Sequence, residues 1–177
     1  SGKENLCSKK KTYGENINGS YSRFVNVSRR SLVKVPNGVS NELSAIAACV
    51  TGMIYHALVP VGKAGYGTKV VITGAGGGVG SHAIQVAKAL GCTVTAVTSS
   101  KWKEEALYKL GSDYVIEAGS GFEKEVKKIW PDGAELVLEN TGTATFSSSL
   151  RSLSFGGRII IIGNLEPTPV EVPLGLI

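Results

Sequence analysis

Residues 68–90 read TKVVITGAGGGVGSHAIQVAKAL. Val70, Val71 and Ile72 form the short apolar run expected of a strand buried on both faces of a parallel sheet. Five glycines follow within seven residues: Gly74, Gly76, Gly77, Gly78 and Gly80. Val79, Ala83, Val86, Ala87 and Leu90 then recur at helical spacing, which predicts a helix with one face on the sheet. A glycine turn between strand and helix lets the backbone approach a bulky anion. The free N–H groups of the first helical turn point at that anion, with the positive end of the helix dipole behind them. Ala75, Gly77 and Gly80 fall on the three positions of the fingerprint G-x-G-x-x-G, alanine replacing the first glycine. Strand before and helix after is the context the fingerprint requires. The stretch therefore predicts dinucleotide binding through Gly74 to Gly80, including Gly76, Gly78 and Val79, rather than a plain tight turn.

The rest of the chain sets bounds on this reading. It has 177 residues, 42% hydrophobic and 19% charged, enough for one sizeable folded domain and some excess. No apolar run is long enough to span a membrane by inspection of the sequence. The three cysteines, Cys7, Cys49 and Cys92, are too few and too scattered for a disulfide framework, so a cytoplasmic location is expected. The net charge of +5 is carried by residues 1–35, which hold eight Lys/Arg against two acidic residues; the remainder is close to neutral. With no basic face interleaved with aromatics, a nucleic-acid partner is not expected.

Upstream, Tyr21–Val27 and Ser31–Val35 read as two strands, and Pro36-Asn37-Gly38 as a boundary. Ser40 is placed to cap a helix, ELSAIAACVTGMIYHAL, apolar enough to be well buried. Downstream, strands are predicted at Cys92–Val97, Tyr114–Ile116, Leu136–Leu138 and Arg158–Ile162, and helices at Lys101–Leu110, up to Trp130 with Ser120 and Glu123 as a capping box, and at Thr145–Leu153. Gly156-Gly157 reads as a turn, and Cys92 as core. Alternating short apolar strands and helices imply an α/β fold, a doubly wound parallel sheet of Rossmann type with its ligand crevice at the carboxyl ends of the strands. Five strands rather than six, and a leader whose strands have no sheet to join, suggest a piece of a longer protein.

Taken together, GKENLC, SLVKVPNGVS, AIAACVTGMIYHAL, VVITGAGGGVGSHAIQVAKALG, LVLENTGT and GGRIIIIGN resemble, in order and spacing, the medium-chain dehydrogenase/reductases, the superfamily of zinc alcohol dehydrogenases and quinone oxidoreductases. The CVTGMIY segment resembles the acryloyl-CoA reductase and alcohol dehydrogenase branch. The resemblance implies that residues 1–39 end a GroES-like catalytic domain and that 40–177 form the dinucleotide-binding domain, truncated before its last strand. It implies hydride transfer between a nicotinamide cofactor and a small organic substrate, an alcohol or aldehyde or an enoyl thioester, by the full-length parent, the piece alone being inactive; its catalytic residues are not identified. The alternatives are a non-catalytic nucleotide-binding module and a zinc-independent quinone or ene reductase. The resemblance also adds Asn140, Thr141, Gly163 and Asn164 to the cofactor-binding set and implies a homo-oligomer; with no spanning apolar run read in the sequence, no membrane partner is expected.

By the same resemblance, Cys7 falls where a structural zinc lobe has its last cysteine, and Cys49 where the catalytic zinc has a ligand. Two other readings stand beside these: Cys7 as an exposed thiol, and Cys49 as a small hydrophobe in a buried helix. Thr98 falls where NAD-preferring folds carry an acid that holds the ribose hydroxyls. Ser99, Ser100 and Lys103 offer hydroxyls and positive charge for a 2′-phosphate, although a solvated helix start would have the same composition. NADPH is therefore the expected cofactor and NADH the alternative.

Overall fold

A computed structural model describes residues 6–119, 121–163, 165 and 168–176. The chain divides into two compact units between Val39 and Ser40.

The first unit contains none of the expected strands. Among its described residues are a bridge between Tyr13 and Ile17 and a short 3-10 turn at Arg29–Ser31. Tyr13 Oη accepts a hydrogen bond from the Ser28 amide (3.0 Å), and Ser28 Oγ accepts from Arg30 N (3.3 Å). Alternation alone does not make a strand. Among the described residues of this unit, the backbone groups of 21–27 and 31–35 have no neighbouring strand to pair with, and the segment is irregular.

The second unit is a five-stranded parallel sheet: β1 (Lys69–Ile72), β2 (Thr93–Thr98), β3 (Tyr114–Glu117), β4 (Ala134–Glu139) and β5 (Leu153–Ile161), in spatial order β3-β2-β1-β4-β5. Consecutive residues of β1 serve opposite faces. Val70 and Ile72 join Val94, Ala96, Leu136 and Leu138 in one core cluster, whereas Val71 joins Val97, Ile116 and Val137 in another. Both faces are covered, which explains why the strands are apolar runs rather than alternating ones. The register aligns Ile72 with Ala96 and with Leu138, and Leu138 with Ile160. Residues just beyond this level stand together at one end of the sheet.

Helix α3 (Gly78–Ala89) buries Gly80, Ala83, Ile84 and Ala87. Of the stripe read from Val79, Ala83, Val86, Ala87 and Leu90, Ala83 and Ala87 are buried as expected, Val79, Val86 and Leu90 only partly, and Gly80 and Ile84 complete the buried face. Small residues let the helix approach the sheet closely. The other helices are α4 (Glu104–Lys109), preceded by a 3-10 turn Lys101–Lys103, α5 (Glu123–Ile129) and α6 (Phe146–Arg151). Ser120, the expected capping partner of Glu123, lies outside the described residues. The expected turn at Gly156-Gly157 is instead an irregularity within β5: the register with β4 shifts between Ala134 and Leu136, and Gly156 takes φ +75°. One glycine in the left-handed region provides the bulge without ending the strand.

The helical stretch Asn41–Val61 departs most from expectation. It contains α1 (Asn41–Ile46), α2 (Met53–His56) and π-type turns at Ala47–Gly52 and Ala57–Val61, the last including Pro60. By length and composition it could cross a bilayer: 21 residues, with mean hydropathy 1.6 in its most apolar window and only 17% of that window buried. Both the expectation of no such run and the expectation of a well-buried helix are corrected. Ile54, Ala57 and Leu58 pack onto the sheet core, while Leu43, Tyr55 and Val61 on other faces are exposed. A helix lying on one side of a sheet has only one stripe to bury.

Candidate functional site

The chain passes from β1 outward through β2 to β3, then crosses back to β4 and β5 on the other side of β1. The carboxyl ends of β1 and β4 therefore flank the switch point, where open α/β sheets hold ligands.

Gly74 turns the chain out of β1 at φ +58°. It takes over the tight-turn role that the fingerprint gives to its first glycine. Ala75 follows, fully buried, its N–H donated to Val97 O at 3.0 Å. Its contribution is to dock the turn on β2, and its amide is already engaged. Gly77 is the N-cap of α3, in extended backbone at φ −91° and ψ 173°, and no side chain caps the helix. The first-turn amides of a helix have no intrahelical carbonyl to bond, so the N–H groups of Gly78, Val79 and Gly80 are left without an acceptor inside α3. A Cβ at Gly78 would meet nothing within 4 Å, whereas one at Gly80 would come within 2.5 Å of Ala75 Cα. Gly80 is thus required for close packing of helix on turn. Gly77 and Gly78 keep the outer surface of the turn bare.

At the end of β2, Thr98 is buried and its Oγ1 accepts from Ser100 N at 3.2 Å. That bond ties the hydroxyl oxygen to the β2–α4 loop. Ser99 is exposed and Ser100 half-buried. Lys103 reaches back from the next turn, and its Nζ donates to Gly76 O at 2.8 Å and lies 5.0 Å from the Trp102 ring centroid. A Cβ at Gly76 would meet Lys103 Cδ at 2.7 Å. The absence of a side chain at Gly76 is what admits the lysine. Of the three ammonium donors, one is used by the carbonyl.

The residue that sequence reading missed is Glu139, the last of β4, which is completely buried. Its Oε1 accepts from Thr73 Oγ1 (3.0 Å), Thr141 N (2.9 Å), Gly142 N (3.0 Å) and Thr145 Oγ1 (2.6 Å). Its Oε2 accepts a short hydrogen bond from Ser149 Oγ. Thr73 in turn accepts from Asn140 N at 2.9 Å, and Asn140 Nδ2 donates to Thr73 O at 2.8 Å. The Asn140 Oδ1 is buried and unpartnered. After β5, Ile162 N donates to Glu139 O (2.8 Å) and Leu165 N to Thr141 O (3.0 Å). A Cβ on Gly163 would sit 3.5 Å from Asn140 O. The fold therefore brings Asn140, Thr141 and Gly163 together beside Gly74. Asn164 lies outside the described residues. A buried acid ending an apolar strand was the one available signal, because such a group requires donors.

Cys7 lies in the first unit, and Cys49 is exposed on the outer side of its helix, which overturns the reading of Cys49 as a core residue. No group of three His, Cys, Asp or Glu side chains able to hold a metal occurs among the described residues. Cys92 is core, as expected, with its Sγ donating to Gly65 O at 3.4 Å. A large open hollow of about 1300 Å³ lies within residues 13–26 of the first unit and belongs to neither the crevice nor these cysteines.

Residues 78–177 match the zinc-binding dehydrogenase family. The chain belongs to this family. Among sequence relatives, the acryloyl-coenzyme A reductase of Sulfurisphaera tokodaii is 44% identical over 96% of this chain and 49% of its own length. Among solved structures, AibC superposes with a TM-score of 0.92 at 37% identity, covering 99% of this chain and 54% of that one. A mycobacterial protein solved in complex with NADPH superposes with a TM-score of 0.73 at 28% identity, over 81% of this chain and 45% of that one. The chain spans about half the length of the curated relatives it matches. The parallel sheet and flanking helices are those of this zinc-binding dehydrogenase family, and they place the chain in the medium-chain dehydrogenase/reductase superfamily.

Proposed function

We propose that this zinc-binding dehydrogenase chain supplies the nucleotide-binding domain of an oxidoreductase, with NADPH preferred over NADH. The observation that carries the reading is a twelve-residue helix with no side-chain cap, fronted by a glycine turn, with the Lys103 ammonium set against that turn. The first-turn amides and the dipole of α3 would hold the pyrophosphate, and Gly77 and Gly78 give it room. Lys103, with Ser99 and Ser100, would hold the 2′-phosphate. The buried, unpartnered Asn140 Oδ1 is an acceptor in need of a donor, which a carboxamide can provide. Asn140, Thr141 and Gly163 accordingly form the nicotinamide side of the crevice. When bound, the nicotinamide carries the hydride; this chain's residues bind and orient it.

For the substrate we favour the activated C=C of a small acyl thioester, because the acryloyl-coenzyme A reductases are 44% and 42% identical to this chain. Residues 1–39 then belong with the substrate-binding domain. Among the described residues no group of three His, Cys, Asp or Glu side chains could hold a zinc ion, and the roles read here are those of binding and orienting the nucleotide. Competitive titration of NADPH and NADH at matched ionic strength tests the cofactor reading. NADPH should bind at least tenfold more tightly, and Gly77→Val should abolish binding of both. Equal affinities would overturn the preference, and undiminished binding by Gly77→Val would overturn the site.

A further inference from the structure

Glu139 does not project into the crevice, yet nearly every element that lines one half of it is tied to this residue. Its carboxylate receives Thr73 from the end of β1, the amides of Thr141 and Gly142 from the β4–α6 loop, Thr145 from the start of α6 and Ser149 from within α6. Its backbone carbonyl receives the amide of Ile162 as the chain leaves β5. Two oxygens thus serve five donors, and the Oε1 cluster fixes the backbone on both sides of Asn140. The adenosine half is tied differently. There Ala75 docks on Val97, Thr98 holds Ser100, and Lys103 holds Gly76, with no bond to Glu139.

We propose that Glu139 is a positioning residue for the nicotinamide half of the cofactor site: its carboxylate sets the placement of Asn140 and Thr141 against Gly74, and the adenosine half is independent of it. The proposal rests on the dinucleotide reading above. A carboxylate is suited to the task because it accepts without donating, and all five partners are donors. Glutamine would keep the Oε1 acceptor but place an NH₂ where Ser149 donates. The Ser149 hydroxyl would have to turn, and four donors would share a neutral carbonyl instead of a carboxylate.

The test separates the halves of the ligand. NADPH and 2′-phospho-ADP-ribose, which lacks the nicotinamide, are titrated into the wild type, Glu139→Gln and Thr73→Val, with thermal midpoints recorded alongside. Expected is a loss of about tenfold in NADPH affinity in both variants, with affinity for 2′-phospho-ADP-ribose within twofold of wild type. A residue that only stabilised the fold would lower both affinities together or neither, and either result overturns the proposal. Wild-type protein that binds neither ligand would overturn the dinucleotide reading itself, a result distinct from any pattern among the variants. Should both variants fail to fold, Ser149→Ala removes a single donor and leaves the Oε1 cluster intact. It should show the same split at smaller size, and an equal effect on both ligands would count against the proposal.

Discussion

Gly80 and Gly77 are both glycines of the fingerprint, and the packing gives them different duties. A Cβ at Gly80 would lie 2.5 Å from Ala75 Cα and 2.9 Å from the Gly74 carbonyl carbon, backbone atoms that cannot step aside. Gly80→Ala should therefore cost about 1–3 kcal/mol, as overpacking does, read as a lowered urea midpoint. At Gly77 a Cβ would meet only Gly74 O, at 3.3 Å, so substitution there should spare stability and act on ligand binding. At Lys103, alanine should weaken NADPH about tenfold and leave NADH within twofold, since only NADPH carries the additional phosphate; isothermal titration of both decides it. Cys92 provides the pH dependence. Burial pushes its thiol above the ordinary range; Lys88 opposes the shift and Glu135 adds to it. The unfolded chain then loses this proton first, so the contribution to stability is complete below the unfolded thiol value of about 8.5 and declines as pH rises beyond it. Denaturation midpoints across that range should fall, and Cys92→Ala should flatten the slope. Iodoacetamide should label exposed Cys49 well before Cys92.

Among the elements, the Asn41–Val61 stretch has a well-formed start. Ser40 Oγ accepts from Leu43 N at 3.2 Å, and the Ser44 hydroxyl donates to Ser40 O at 2.7 Å. The Glu42 carboxyl is held below its ordinary range by its backbone hydrogen bond and by Ser40, so its part in the cap is present at neutral pH and is lost as pH falls through its titration. Ser40→Ala should cost about 1 kcal/mol, measured by chemical denaturation. The glycine turn and α3 were legible as an element because their signals are local: an apolar run, a glycine cluster, then helical spacing. The same local reading failed for the leader, where Tyr21–Val27 alternates weakly but forms no strand. It also failed at Gly156-Gly157, where two glycines bulge β5 instead of ending it. In both cases the outcome depended on whether a partner strand was available.

On the scale of the whole molecule, β5 is one edge of the sheet, β3 being the other; it is nine residues long and paired only with β4 among the described residues. Ile161 at its end is 62% exposed. Unpaired edges with exposed apolar side chains are sites of strand pairing. The protein is expected to self-associate there. Light scattering over a dilution series should show a mass that rises with concentration, and Ile161→Lys should shift it toward monomer. A constant monomer mass for the unsubstituted chain would exclude this edge as an interface.

In the second unit, the sequence by itself determined the order of strands and helices, the parallel sheet and the position of the glycine turn. Each of these is written in residues near one another along the chain, where periodicity and glycine placement govern the backbone directly. Only the tertiary structure decided that Ala75 spends its amide on Val97, that Lys103 lies against Gly76, and that Cys49 faces outward. It alone decided the role of Glu139. That carboxylate bonds Thr73, 66 positions away, as well as Ser149, 10 positions on, and no spacing rule joins such residues. They meet because parallel pairing of β1 with β4 carries both strand ends to the same level, and a buried carboxylate there needs every donor the surrounding turns can offer.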